Sequence, residues 1–233
     1  AVDAPFTPPD TGPSVFSDFP LAPVIDPSLP GDIGNQFGSP DAGAGAAPCI
    51  AEPAADAMIP KNWTPLFMEY SAPGANVYEI RLTIDNQTNP AIIYTPNPTY
   101  VIDQTIWKQV ALHSAGHDVN VTLRGGTLTN SVLSAITAET TSTVHIAPVD
   151  APGSVVYWSS TGGTAFKGFT VGDMTSKTVL TPTTAGAASA GAGTTTCVSC
   201  HTSSPDGTYV FYTRDTASSR AMSRSGICPC FNR

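Results

Sequence analysis

Apolar and polar residues alternate along much of the stretch from residue 56 to residue 182, with the period of two that marks a half-buried strand. The clearest run is Val77–Ile84. Val77, Glu79, Arg81 and Thr83 fall on one face, and Tyr78, Ile80, Leu82 and Ile84 on the other. Leu66–Tyr70, Ala91–Thr95, Thr99–Ile102, Val119–Arg124 and Thr141–Ile146 read as further strands. One segment breaks the period. Ile106, Trp107, Val110 and Ala111 share a helical face, and Asp103 stands where an N-cap belongs, so a short helix is predicted up to about Ser114. Gly153–Ser159 and Ala165–Val171 flank Thr161-Gly-Gly-Thr164, the composition of a hairpin turn. Lys177–Leu180 adds a strand, and Ser204-Pro-Asp-Gly207 feeds a last one to Tyr212. Short strands separated by turn signals predict a mostly β fold, an antiparallel sandwich.

The first 55 residues have no such pattern. They hold eleven of the 22 prolines, seven acidic residues and no Lys or Arg. The expectation is an extended, acidic, proline-rich arm with no core of its own, serving as a tether. Phe6, Phe16 and Phe19 add a second option, an arm lying along a partner subunit. The organisation expected is an arm over 1–55, a sandwich over 56–150, a hairpin extension over 151–182, a flexible linker over 183–196 and a C-terminal segment over 197–233.

Composition narrows the function classes. Of 233 residues only 12% are charged, and the net charge is −8. Beyond the arm, eleven acidic residues face ten basic ones, so the remainder is near neutral. No basic patch points to nucleic acid. No apolar run reaches the length of a transmembrane helix. The chain opens Ala1-Val2-Asp3, which is expected if a signal peptide has been removed or the chain starts late. Gly-x-Ser-x-Gly, His-Glu-x-x-His and glycine-rich phosphate loops are absent, and the carboxylates of the β region are few and unpaired. An enzyme is not expected.

The chemistry concentrates in Cys197-Val198-Ser199-Cys200-His201. Two thiols three positions apart can each form a thioether with one haem edge, and the following imidazole supplies an axial ligand to iron, so C-x-x-C-H reads as a site for one covalent haem c. His201 is the expected axial ligand and Met222 the first choice for the second, because a Met in a polar context is poorly explained as core. Met58, Met68, Met174, His113, His117 and His145 are the other candidates, and Arg214 or Arg220 is a candidate partner for a propionate. Two alternatives stay open. One is a short disulfide, Cys197–Cys200. The other is a zinc knuckle joining them with Cys228 and Cys230. A thioredoxin-like site is disfavoured because no βαβ pattern surrounds the motif. Cys49 makes the cysteine count odd, and its pairing with Cys228 or Cys230 would leave one thiol over.

Ala51-Glu-Pro53, Pro60-Lys-Asn-Trp63 and Tyr78-Glu-Ile-Arg-Leu82 resemble the fibronectin-III-like module near the start of large surface proteins and lipoproteins of myxobacteria and their relatives. There a strand pair similar to Gly153–Val171 follows, and Cys-x-x-Cys-His runs into a Ser-Pro-Asp-Gly segment like that of TolB-type propeller blades. The likeness covers about residues 48–215. It implies a fibronectin-III/Ig-like antiparallel sandwich with a small C-terminal haem-binding segment. One blade-like strand cannot close a propeller. The function expected is a monohaem c-type cytochrome-like subunit outside the bacterial cytoplasm, in the periplasm or at the cell surface. It would pass electrons to a redox partner within a larger surface or membrane-associated assembly. The competing expectation is a structural or adhesive β-module without haem, its cysteines held in disulfides or on zinc.

Overall fold

The computed structural model describes residues 14–39, 43–187, 195–203 and 210–216. The protein is mostly β, with several sheets and little helix. It divides into two compact units between Asp150 and Ala151.

The first unit runs in order through β1 (Val24–Ile25), α1 (Ile33–Phe37), β2 (Cys49–Glu52), β3 (Ala57–Pro60), β4 (Phe67–Ser71), β5 (Val77–Thr83), β6 (Ala91–Thr95), β7 (Thr99–Val101), α2 (Gln104–His113), β8 (Asp118–Thr129), β9 (Val132–Ser134) and β10 (Thr140–Ala147). Its large sheet has the order β1-β6-β5-β8-β10-β3, with β9 paired to the end of β8. A smaller sheet has the order β2-β4-β7. The interior of the large sheet is antiparallel, with Ile80 opposite both Ile93 and Leu123. Both of its edges are parallel pairs, β1 with β6 and β3 with β10. The expected antiparallel sandwich is therefore a mixed one.

The alternation along β5 sets the core. Tyr78, Ile80, Leu82 and Ile84 bury one face with Val121 and Leu123 of β8, Met68 and Tyr70 of β4, and Trp107, Val110 and Ala111 of α2. Helix α2 forms where predicted. Asp103 accepts hydrogen bonds from the Thr105 and Ile106 amides at 2.9 and 3.1 Å, satisfying two donors that a helix start leaves open.

On the opposite face of the sheet, part of the expected arm has a core after all. From Ser14 to Ser39 the chain packs on its own sheet rather than standing free as a tether. Ile33 and Phe37 are fully buried and form a second core with Val77 and Tyr94, and Phe19 enters the main core. The physical reason is charge. Arg124 and Glu79 project from β8 and β5 on this face and are 1% and 4% exposed. Burying them demands a cover that supplies hydrogen bonds. Helix α1 does so at its C-terminal end. Arg124 donates to the carbonyls of Ser39 at 2.6 Å and of Phe37 and Gly38 at 3.4 Å, while also bonding Glu79 at 2.8 and 3.1 Å. Tyr94 donates to the other Glu79 oxygen at 2.9 Å. Gly34 lets α1 sit this low, since a Cβ there would stand 3.0 Å from the Tyr94 hydroxyl.

The second unit contains β11 (Ser154–Ser159), β12 (Ala165–Thr170), β13 (Lys177–Leu180), α3 (Pro182–Ala187), β14 (Thr195–Ser203) and β15 (Val210–Thr216). Strands β11-β12-β13 form one antiparallel sheet and β14-β15 another. Phe166 of β12, Ala185 of α3 and Val198 of β14 share one core. The expected hairpin extension, linker and C-terminal segment thus belong to one packed unit as far as they are described. The start of the linker is α3, because Ala185 finds apolar cover that its sequence neighbours do not advertise.

Candidate functional site

Cys197, Cys200 and His201 lie on one strand, β14. Its pairing with β15 runs Cys197 opposite Asp215, Val198 opposite Arg214 and Ser199 opposite Thr213, then shifts so that His201 faces Tyr212. The shift places one extra residue, Cys200, in a β-bulge. Cys200 has φ +29°, a left-handed conformation that a residue with a Cβ adopts at a cost of about 1–3 kcal/mol.

The bulge decides which way each side chain points. Val198 faces inward and is fully buried. Without a bulge His201 would face outward with Cys197 and Ser199. With it, His201 turns inward beside Val198. Its ring lies 4.8 Å from Phe166, and Nε2 donates to the Val156 carbonyl at 3.0 Å. That bond makes Nε2 the donor, since a carbonyl only accepts. The outward face carries Ser199, whose hydroxyl is 3.2 Å from that of Thr213. Cys197 shares this face by alternation. It is half-buried, and its thiol lies 3.6 Å from the Val198 carbonyl.

The outer edge of β14 is stitched down by side chains. Trp158 Nε1 donates to the Val198 carbonyl at 2.7 Å, and the Val198 amide donates to the Thr164 hydroxyl at 3.2 Å. Arg214 donates to the Ala185 carbonyl at 3.3 Å, so it is spent on α3. Beside His201 runs a groove of about 140 Å³ lined by Val156, Phe166, Val179, Leu180, Val210 and Tyr212. Cofactor-sized sites occupy about 300–1,000 Å³, so this groove takes an edge of a macrocycle and no more.

The donor set is chemically right for a c-type haem: two thiols and an imidazole in the order C-x-x-C-H. The closed hairpin is not, because Cys197 and His201 lie on opposite faces of β14. The residues as packed do not fit a haem held by all three. Among the described residues no group of three or more His, Cys, Asp or Glu side chains is placed to hold a metal ion. Met222, Arg220, Cys228 and Cys230 lie outside the described residues, as does any zinc or disulfide arrangement that needs them.

Most of the other candidates are engaged elsewhere in the fold. Met68 is fully buried in the first core, whereas Met58 and Met174 are exposed. The histidines of the first unit each face a carboxylate. His113, at the end of α2, donates to Asp18 at 3.0 Å and stacks on Phe16 with ring centroids 4.2 Å apart. His117 donates to Asp85 at 2.6 Å. His145 donates to Asp118 at 2.6 Å, and its other ring nitrogen is 3.7 Å from Asp56. The hydrogen bond to Asp118 is the main cause raising the His145 pKa above the usual histidine value. The i, i+4 spacing of His113 and His117 thus serves two separate hydrogen bonds, to Asp18 and to Asp85. Trp158 and Val156, which hold the motif strand, carry no sequence signal beyond an apolar strand. No described helix is long and apolar enough to cross a membrane. No protein-family model, curated protein or solved structure matches this chain, so its site is read from its own chemistry.

Proposed function

We propose that this chain is an extracytoplasmic bacterial protein carrying one haem c on Cys197 and Cys200, and that it relays single electrons to a redox partner in a larger surface or membrane-associated assembly. The observation that carries this reading is the intact C-x-x-C-H run, with its second cysteine held in a strained left-handed bulge. Strain of that kind collects at functional positions. Haem, once held by these residues, would supply a one-electron iron couple. His201 is the residue of this chain to hold the iron on one side, and Met222 is the proposed ligand on the other. The closed packing of β14 bears on when haem can be joined, not on whether the chain encodes its attachment. A single haem moves an electron only to a close neighbour, which is why a partner is part of the proposal. A pyridine haemochrome assay on protein from its native source tests it. One c-type haem per chain is expected.

A second reading is favoured by the packing itself. Val198 and His201 are used in the core of the second unit, as they would be in a structural or adhesive surface module. That reading predicts a colourless native protein with both thiols unmodified by haem.

A further inference from the structure

His201 is needed in two places at once, and Val198 anchors the strand in one of them. In the closed hairpin Val198 fills the core between Phe166 and Ala185. His201 is pinned by Val156 and Phe166, and Cys197 faces away. A haem held by both cysteines and the imidazole needs all three groups turned to one side. Strand β14 does not allow this: the bulge at Cys200 turns His201 away from Cys197, and a regular strand would instead turn Cys200 away from both.

We infer that closed β14 and a haem-bearing C-x-x-C-H are mutually exclusive packings of the same segment, so that the haem-free second unit folds into a state refractory to haem. This rests on the haem reading only for its biological use; the exclusion itself is a property of the packing. The covalent step makes the conflict concrete. Each Cys Sγ–H adds across one vinyl group of haem. The S–H bond breaks, an S–C bond forms, and the hydrogen goes to the other vinyl carbon, with no leaving group and no net oxidation. Both sulfurs must therefore reach one porphyrin edge as reduced thiols while His201 approaches the iron. In the closed unit that requires β14 to leave Trp158, Thr164 and Val156.

The test uses the full chain produced without haem, with its thiols kept reduced. Ferric protoporphyrin IX is added, and imidazole-ligated haem is followed by its absorption. The part of the uptake that His201→Ala removes is expected to be at least tenfold less in the native fold than in denaturing urea, where His113, His117 and His145 also become free to bind and are subtracted by that comparison. Val198→Asp, which puts a charge into the core and drives β14 out, is expected to take up haem without urea. Adding His201→Ala to that variant is expected to abolish the imidazole-ligated spectrum. Equal His201-dependent uptake by the closed and opened forms, or none by either, overturns the inference, because packing then makes no difference. The haemochrome assay on the native-source chain decides the haem reading separately.

Discussion

Arg124 and Glu79 bring opposite charges into a site almost sealed from water, and they are compensated as a set. Removing Arg124 leaves the buried Glu79 carboxylate with only the Tyr94 hydroxyl and, at 3.7 Å, the Arg81 guanidinium. Arg124→Met is expected to destabilise the first unit by about 3–5 kcal/mol, and adding Glu79→Met to recover most of that loss. Hydrogen exchange at the β5 and β8 amides measures both. A double variant as unstable as the single one would show that the Arg124 bonds to the Phe37, Gly38 and Ser39 carbonyls matter more than the ion pair. His145 offers a residue-level pH test. Its folded pKa is raised by Asp118, so the stability from this pair is complete below the ordinary histidine value of about 6.5 and is lost as pH climbs through the raised value. Asp118→Asn should bring the His145 midpoint, followed by NMR, back toward the ordinary value. An unchanged midpoint would contradict the assignment.

Among the elements, α1 departs most from what the sequence promises. Its five residues lie in a proline-rich, acidic stretch, and only the Ile33 and Phe37 pair, at i and i+4, hints at a buried helical face. Such a helix cannot persist alone; the sheet face beneath it and the Arg124 guanidinium hold it. Phe37→Ala should cost about 3–5 kcal/mol of first-unit stability, a large-to-small change in a core. A loss within a few tenths of a kcal/mol would return the segment to the status of a tether. Helix α2 was legible by contrast, because its cap and apolar face are local. Asp103→Ala should cost about 1 kcal/mol by loss of the Thr105 and Ile106 bonds, read as faster exchange of the first-turn amides. The β5 alternation was equally legible, since a period of two needs no knowledge of partners. The parallel edge pairs β1–β6 and β3–β10 were not, because pairing direction between segments distant in sequence is set by the sheet that forms between them.

For the whole molecule, the same contrast holds at the site. C-x-x-C-H was visible at once because haem chemistry is written in residue type and spacing. Its seating was not. The bulge at Cys200 arises from how β14 registers on β15, and it turns His201 toward Val156 and Phe166 while Cys197 stays outside. The two units thus hold different kinds of information. The first is a sandwich whose charged pairs and covered faces explain its stability. The second holds the C-x-x-C-H run, for which haem attachment is proposed, in a closed hairpin. The most direct measurement of the central claim is the pyridine haemochrome spectrum, with intact mass, of the chain from its native source. The account predicts one haem c per chain, bound through both Cys197 and Cys200. A colourless chain whose mass shows both cysteines without haem would contradict it and leave the structural module as the standing reading.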